Sequence, residues 1–511
     1  MSGIFGVISK SNCSEILFHG VDYHSHLGTE YGGMAVLGDR FMREIHEIRQ
    51  SQFKSKFFED CKKMKGEKGI GVISAFDEQP IYLNSRFGPF CIVTNGLIEN
   101  KKELARGLLS KGISFSEVTE DTVNETELVA KLISQGDSLV NGIERMFDII
   151  EGSCSLLLLN AEGIYAARDR YGYTPLIIGR RCVKDSGIKN SGMPNEAWAI
   201  TSETAAFPNM EFEVVKYLNP GEILLINKNG MVQKRAGGAI TQICSFLWIY
   251  TGFPASSYEG INTEIVREAC GRYLAMRDKD IAVDIVSGVP DSGIAHALGY
   301  AAESKKPYRR PLVKYTPGYG RSYTPPSQET RDLVAKMKLV PIKEIIKGNR
   351  IVVCEDSIVR GTQLKNFTIK KLWDAQAKEV HVRPACPPLM FPCIFNLSTR
   401  SIRELAARRA IRDIEGKDLA DVSEYIDNTS PKYKRMVQWI ARDLDVTTLR
   451  YQTVEDMVKA IGLPREKLCL YCWTGECLKC HKKNRNAKGA PERTADKKQK
   501  DDKRHKCVTL N

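Results

Sequence analysis

The sequence predicts two successive units of mixed α and β structure followed by a polar tail. Three observations carry this: short apolar runs bounded by Gly, Asn or Asp up to about residue 240, compact Val/Ile runs alternating with helical segments from about Ile281, and a stretch from His481 almost without apolar residues. In the first unit "GIFGVIS", "GGMAVLG", "PFCIVTNG", "CSLLLLNAEGIYAARD", "EAWAITSE" and "GEILLINKNGMV" have the length and borders of strands and hairpins. "NKKELARGLLSKG" and "ETELVAKLISQG" carry apolar residues at helical spacing and stop at glycine. Strands with a few helices between them point to a sheet-on-sheet core with helices outside. In the second unit "IAVDIVSGVP", "RPLVKY", "RIVVCEDS" and "EVHVRPACPP" are apolar without alternation, as in parallel strands buried on both faces. "GIAHALGYAAESK" and "QLKNFTIKKLWDAQA" supply the crossover helices. Ligands of such sheets sit beyond the carboxyl ends of the strands.

Composition narrows the class. The chain of 511 residues is 42% hydrophobic and 27% charged, long enough for two or three cores. No apolar run approaches the ~20 residues of a membrane span. The start "MSGIFGVISK" lacks the features of a secretory signal, so a cytoplasmic protein without a membrane partner is expected. Fifteen cysteines, some at Cys-x-x-Cys spacing, suggest metal binding more than a disulfide scaffold. From His481 onward eleven Lys or Arg stand against four Asp or Glu, a net of +7 within the formal +13. This segment reads as a disordered, solubilising tail, and no nucleic-acid role is expected of it.

"VVCEDSIVRGTQ" ends an apolar strand with two acids and follows with a hydroxyl-bearing turn. If Val352 and Val353 end the strand and Thr362 opens a helix, the NH groups around Ser357 to Thr362 form an anion cradle. Gly361 then allows close backbone approach. Carboxylates beside a phosphate site would repel the phosphate, so Glu355 and Asp356 suit ribose hydroxyls or a metal. Acids and phosphate turn together fit a phosphorylated ribose.

"VCEDSIVRGT" is similar to the phosphoribosyl-diphosphate (PRPP) motif of type I phosphoribosyltransferases, and closest to the "VDDSIVRGTT" form of the amidophosphoribosyltransferases. That family makes phosphoribosylamine from PRPP and glutamine-derived ammonia in the first step of purine synthesis. The resemblance assigns Ser357, Arg360, Gly361 and Thr362 to PRPP, and Glu355 and Asp356 to the diol or magnesium; Glu355 departs from the usual Asp. "VSGVPDSGIAHALGYA" resembles the family's pyrophosphate turn, with Ser292 at its magnesium position. "VKYTPGYGRSYTPPSQETRDLVAKMKL" resembles the loop that closes over PRPP. It supplies Lys314, Arg321, Gln328, Arg331, Lys336 and Lys338. A departing diphosphate needs such cations and magnesium around it, and Gly318 and Gly320 suit a loop that closes and excludes water. The loop is one residue longer than the family form before Arg321, leaving Tyr319 the nearest match to an aromatic of the ammonia passage.

"LCLYCWTGECLKCH" holds Cys469, Cys472, Cys477 and Cys480, and a Cys-x-x-Cys pair grips zinc or an iron-sulfur centre. The resemblance implies another set. "CLYCWTG", "CSFLWIYTGFPAS" and "PPLMFPCIF" match three family stretches that ligate a [4Fe-4S] cluster, which assigns Cys244, Cys393, Cys469 and Cys472 to it. Cys477 and Cys480 fall outside the pattern, as a separate metal site or as tail thiols.

"RDRYGYTPLIIGRR", "SETAAF" and "NPGEILLINKNGMV" resemble the glutaminase half of the same family, in which an N-terminal cysteine is the nucleophile and its α-amine the base. Here the position holds Ser2, a weaker nucleophile. "TNG" keeps Asn95 and Gly96, the family's oxyanion-hole pair. Ser74 stands where the family has the Arg that fixes the substrate carboxylate, Glu125 where it has an Asp for the substrate amine, and Leu27 replaces another Arg. An anionic substrate group without its partner is costly to bury, so glutamine hydrolysis is expected to be weak or absent.

The resemblance implies a fold of α/β and α+β class: a glutaminase-like (class II, N-terminal-nucleophile) αββα sandwich over 2–243, then a type I phosphoribosyltransferase parallel-sheet domain with a cluster-binding C-terminal segment over 244–480. The basic tail occupies 481–511. It further implies PRPP and ammonia or glutamine as substrates, Mg2+ and a [4Fe-4S] cluster as cofactors, purine nucleotides as regulators and a homo-oligomer, dimer or tetramer. A regulatory paralogue that binds PRPP or nucleotides without turnover is the alternative, and a true glutamine-using enzyme with Ser2 as nucleophile a third reading.

Overall fold

The computed structural model describes residues 2–119, 122–182, 196–315, 339–395 and 401–476. The first half is built on two facing antiparallel sheets. One has seven strands in the order Glu213–Tyr217, Ile177–Cys182, Glu196–Thr201, Gly3–Ser9, Lys68–Ser74, Tyr31–Leu37, Phe41–Glu47. The other has six, in the order Gly230–Arg235, Ile223–Asn227, Ile164–Ala167, Gly152–Leu159, Gly88–Ile98, Ile81–Ser85.

Period-two alternation sorts each strand between layers. In Gly3–Ser9, Ile4 and Ile8 enter the core between the sheets with Val72, Val93, Leu157 and Leu159. Phe5 and Val7 face the other way, against Ile16 and Leu17 of helix Ser14–Asp22 and Phe53 and Phe57 of helix Phe53–Lys63. Helices Glu125–Ile133 and Leu139–Ile149 cover the six-stranded sheet through Leu128, Val129 and Ile143 on Ile92, Leu156 and Leu158. The result is the expected αββα sandwich. Each of these fully buried aliphatic side chains contributes roughly 2 kcal/mol by leaving water.

The second half holds a four-stranded parallel sheet in the order Ile285–Gly288, Arg350–Glu355, Glu379–Pro384, Thr448–Leu449. Both faces are covered, which explains the missing alternation in sequence. Ile351 and Val353 pack toward helices Ala406–Glu415 and Pro431–Leu444, while Val352 and Cys354 pack toward Thr263–Met276, Ile294–Ser304 and Val454–Ile461. The central strand runs two residues past Val353, because Glu355 still pairs in register with Pro384.

The halves touch directly. Ser153 Oγ donates to Phe395 O at 3.0 Å, and the rings of Tyr173 and Phe395 stack at 3.8 Å. Among the described residues no helix is long and apolar enough to cross a membrane.

Candidate active site

The acid pair lies at the carboxyl end of its parallel strand, where open parallel sheets take their ligands. Glu355 and Asp356 are both buried. Glu355 Oε1 accepts from Ser292 Oγ at 3.0 Å and from the Asp356 NH at 3.1 Å, and Asp356 Oδ1 accepts from Ser357 Oγ at 2.5 Å. Burial, with the Asp356 carboxylate beside it, pushes the Glu355 carboxyl well above its usual range. Among the described residues no Lys or Arg forms an ion pair with either acid. Two buried, adjacent carboxylates without a pairing cation form an oxygen donor set suited to a hard divalent ion.

Beyond them the chain turns through Gly361, at φ +79°, a left-handed value that glycine adopts without strain. A helical stretch follows from 362 and includes the π-helical Leu364–Ile369. No described residue accepts a hydrogen bond from the backbone NH groups of 357–362. Such an open run of donors at a helix N-terminus is an anion cradle. Ser357 and Thr362 lie at the two ends of this run, Ser357 Oγ donating to Asp356 Oδ1. Arg360 is turned outward, with its guanidinium 2.5 Å from Glu404 Oε2. Lys314 reaches Asp291 Oδ2 at 2.5 Å, next to Ser292. Arg321, Gln328, Arg331, Lys336 and Lys338, with Gly318, Tyr319 and Gly320, lie outside the described residues.

The four predicted cysteine ligands come together from three distant segments. Ile243–Cys244 pairs in parallel with Leu468–Cys469, so Cys244 and Cys469 are direct neighbours across the ladder. The NH groups of Met390 and Phe391 donate to Cys472 O at 2.9 and 3.1 Å, which brings Cys393 alongside. Cys393, Cys469 and Cys472 share one buried apolar cluster, with Cys244 packed against it. The Cys472 thiol is held well above its usual range by a hydrogen bond to Cys393, then by burial and the other two thiols. Burial raises Cys244 to about 12.

Among the described residues no three of these sulfurs lie within 4.8 Å of one another. A single zinc ion holds thiolates at about 2.3 Å and so within ~4 Å of each other. Four thiols brought together from three segments could hold a metal centre. Cys477, Cys480 and the tail lie outside the described residues.

The third cluster surrounds Ser2. Its nitrogen donates to Asn95 Oδ1 at 3.2 Å and its Oγ accepts from the Ala75 NH at 3.2 Å. Asn95 Nδ2 is buried and has no partner among the described residues. Gly96 is required by close approach: a Cβ there would stand 2.1 Å from Ser153 O. Ser74 is fully buried, its Oγ accepting from Gln79 Nε2 at 3.5 Å and from the Phe76 NH at 3.3 Å. Glu125 is occupied as well, by Lys101 Nζ at 2.5 Å and the Ile98 NH at 3.1 Å. Among the described residues, the groups bonded to Ser2 and Ser74 are Asn95, Gln79 and the Ala75 and Phe76 NH groups, none of them charged.

Several contributors escape a reading of local sequence. Asp77 accepts from the Glu125 NH at 2.8 Å, and burial with the Glu125 carboxylate nearby pushes it up to about 7. Lys101 carries no motif that would mark it as the partner of Glu125. Glu44, His46 and Asp60 place three metal-type donors together, His46 Nε2 lying 2.7 Å from Asp60 Oδ2. The alternation of strand Phe41–Glu47 puts Glu44 and His46 on one face, but no sequence spacing joins them to Asp60.

A sequence profile for the glutamine amidotransferase domain matches residues 69–188. An amidophosphoribosyltransferase from Methanocaldococcus jannaschii is 30% identical over 93% of this chain and 97% of its own length. One from Bacillus subtilis is 29% identical over 93% of both chains. Among solved structures, the glutamine PRPP amidotransferase from B. subtilis complexed with ADP and GMP superposes with a TM-score of 0.76 at 28% identity, covering 93% of this chain and 96% of that one. A structure described as the allosteric regulatory enzyme of purine biosynthesis superposes with a TM-score of 0.77 at 28% identity, covering 93% and 95%.

Proposed function

Because the chain belongs to the amidophosphoribosyltransferase family, we propose that it uses PRPP and ammonia to form phosphoribosylamine and pyrophosphate, the first step of purine synthesis. The observation that carries this is the buried pair Glu355 and Asp356 at the strand end, joined by Ser292 and followed by an open amide turn. The acids hold the ribose diol or a magnesium ion, and the NH groups of 357–362 hold the 5-phosphate. If magnesium is bound there, it would supply charge neutralisation for the departing diphosphate. Ser357 and Thr362 add hydroxyl donors, and the family resemblance assigns Lys314 and the basic residues at 321, 331, 336 and 338 to the leaving group. Catalysis on this half is positional and electrostatic.

On this reading 2–243 form the amidotransferase-like unit and 244–480 the transferase unit. Cys244, Cys393, Cys469 and Cys472 hold a [4Fe-4S] cluster that ties the C-terminal segment to the transferase. The nitrogen source is free ammonia. Glutamine is disfavoured because Ser2 replaces a thiol, Ser74 bears no charge, and Glu125 is already paired with Lys101.

The test is pyrophosphate release by anaerobically purified protein with PRPP and Mg2+, with ammonium at alkaline pH or with glutamine. Release with ammonium and little with glutamine is the expected result. Release with neither would favour a PRPP- or nucleotide-binding regulator, and efficient release with glutamine would restore Ser2 as a working nucleophile.

A further inference from the structure

The amide turn beyond the acid pair is fastened from one side by a short segment, 404–409. Three contacts make the attachment. The Ala406 NH donates to Val359 O at 2.8 Å, Arg409 Nη2 donates to Arg360 O at 3.0 Å, and the Arg360 guanidinium meets Glu404 Oε2 at 2.5 Å. Ala406 and Arg409 belong to helix Ala406–Glu415, and Glu404 ends the short 3-10 helix Ile402–Glu404 before it. Arg409 is itself anchored. Its Nη2 also donates to Asp443 Oδ2 at 3.0 Å, on helix Pro431–Leu444. The other oxygen of Asp443 lies 3.3 Å from Lys365 Nζ, four residues past Gly361.

In a trans peptide the C=O of one residue and the NH of the next share a plane and point in opposite directions. Tying Val359 O to Ala406 therefore turns the Arg360 NH away from 404–409. Tying Arg360 O to Arg409 does the same for the Gly361 NH. Both NH groups belong to the run for which no described residue supplies an acceptor. Gly361, at φ +79°, has no side chain to hold its peptide plane, so the contact at the Arg360 carbonyl sets the direction of that NH.

We propose that Arg409 is a positioning residue for phosphate recognition: by holding the Arg360 carbonyl it presents the Gly361 NH, beside the Arg360 NH, to the 5-phosphate of PRPP. This deepens the reading on which the amides of 357–362 hold that phosphate, and rests on it. Arg409 acts by orienting a peptide plane rather than by lending charge to the ligand, and the two roles separate by substitution. Lysine keeps a cation, but its ammonium stops one bond short of Nη2 and does not span Arg360 O and Asp443 as arginine does.

The experiment compares full-length wild type, Arg409→Lys, Arg409→Gln and Asp443→Asn. Each is measured for thermal midpoint, for calorimetric affinity toward ribose 5-phosphate and toward pyrophosphate with Mg2+, and for KM of PRPP and kcat with ammonium. Both Arg409 variants weaken ribose 5-phosphate about tenfold and raise the KM for PRPP by a similar factor. Pyrophosphate affinity and kcat stay within about twofold of wild type. Asp443→Asn keeps Arg409 but loosens its anchor, and weakens ribose 5-phosphate about threefold. A Lys variant that binds ribose 5-phosphate as wild type does would reduce the role to charge and overturn it. Equal weakening of both ligands, as a general disturbance of the fold produces, overturns it too. Should the Arg409 variants fail to fold, Asp443→Asn decides by the same comparison: selective weakening of ribose 5-phosphate supports the role, and any other result overturns it. Wild-type titration separates the premises. No uptake of PRPP or ribose 5-phosphate defeats the phosphate reading and this role with it, whereas uptake by wild type and unchanged affinity in the Arg409 variants defeats this role alone.

Discussion

Ser292 donates its hydroxyl hydrogen to Glu355 Oε1 at 3.0 Å, joining the turn after one parallel strand to the end of the next. The extra methylene of Glu355, relative to the aspartate of related motifs, lets its carboxyl reach that hydroxyl while also accepting from the Asp356 NH. Ser292→Ala removes one hydrogen bond to a buried carboxyl. The expected loss is roughly 2 kcal/mol of transition-state stabilisation, about thirtyfold in kcat/KM for PRPP, with the thermal midpoint little changed. Steady-state kinetics alongside a melting curve checks both halves.

The four cysteines are expected to act as a unit. Serine at any one of 244, 393, 469 or 472 lowers bound iron and sulfide below half of the wild-type value and destabilises the fold. Cys386→Ser, a buried thiol outside the set, leaves both contents unchanged. Iron and sulfide analysis on anaerobic protein reads this directly. Equal loss in the Cys386 variant would falsify the assignment.

A thiol alone is not expected to restore glutamine use. Ser2→Cys strengthens the nucleophile, yet Ser74 remains a buried, hydrogen-bonded hydroxyl and Glu125 remains with Lys101 and the Ile98 NH. Glutamine-dependent pyrophosphate release by that variant stays within about threefold of wild type. An increase of a hundredfold would show that the substrate is held by groups other than these.

Asp77 gives the sandwich a pH signature. Its folded pKa, near 7 through burial and the Glu125 carboxylate, lies above that of an exposed aspartate, so the folded state binds the extra proton. Stability from this group is present at low pH and is lost as pH rises from about 4 to about 7. Asp77→Asn keeps an oxygen for the Glu125 NH and removes the titration. Its thermal midpoint, followed from pH 5 to 8, falls less than that of wild type.

Arg383 and Asp278 form a buried ion pair, with Arg450 Nη1 adding a second contact to Asp278 at 2.8 Å. Asp278→Asn leaves the Arg383 charge without its partner and costs about 3–5 kcal/mol. Denaturant unfolding of the variant measures it, and a change below 1 kcal/mol contradicts the pairing.

The layers, and the placement of the acid pair at a strand end, were legible in local pattern. Strand Gly3–Ser9 reads as two-faced because side chains alternate at period two, and strand Arg350–Glu355 reads as doubly buried because it does not alternate. The acid pair, the turn at Gly361 and the open backbone amides of 357–362 are contiguous, so one short stretch specifies them together. Which distant groups meet depended on packing. Cys244 and Cys469 become neighbours through a two-residue parallel ladder, Lys101 takes Glu125, and Arg267 holds the carbonyls of Trp248, Tyr250 and Gly252 from another helix. The physical reason is range. Backbone periodicity and turn chemistry act over a few residues and leave a local imprint, whereas an encounter between remote side chains depends on how whole layers pack and on which buried charge finds a counterpart.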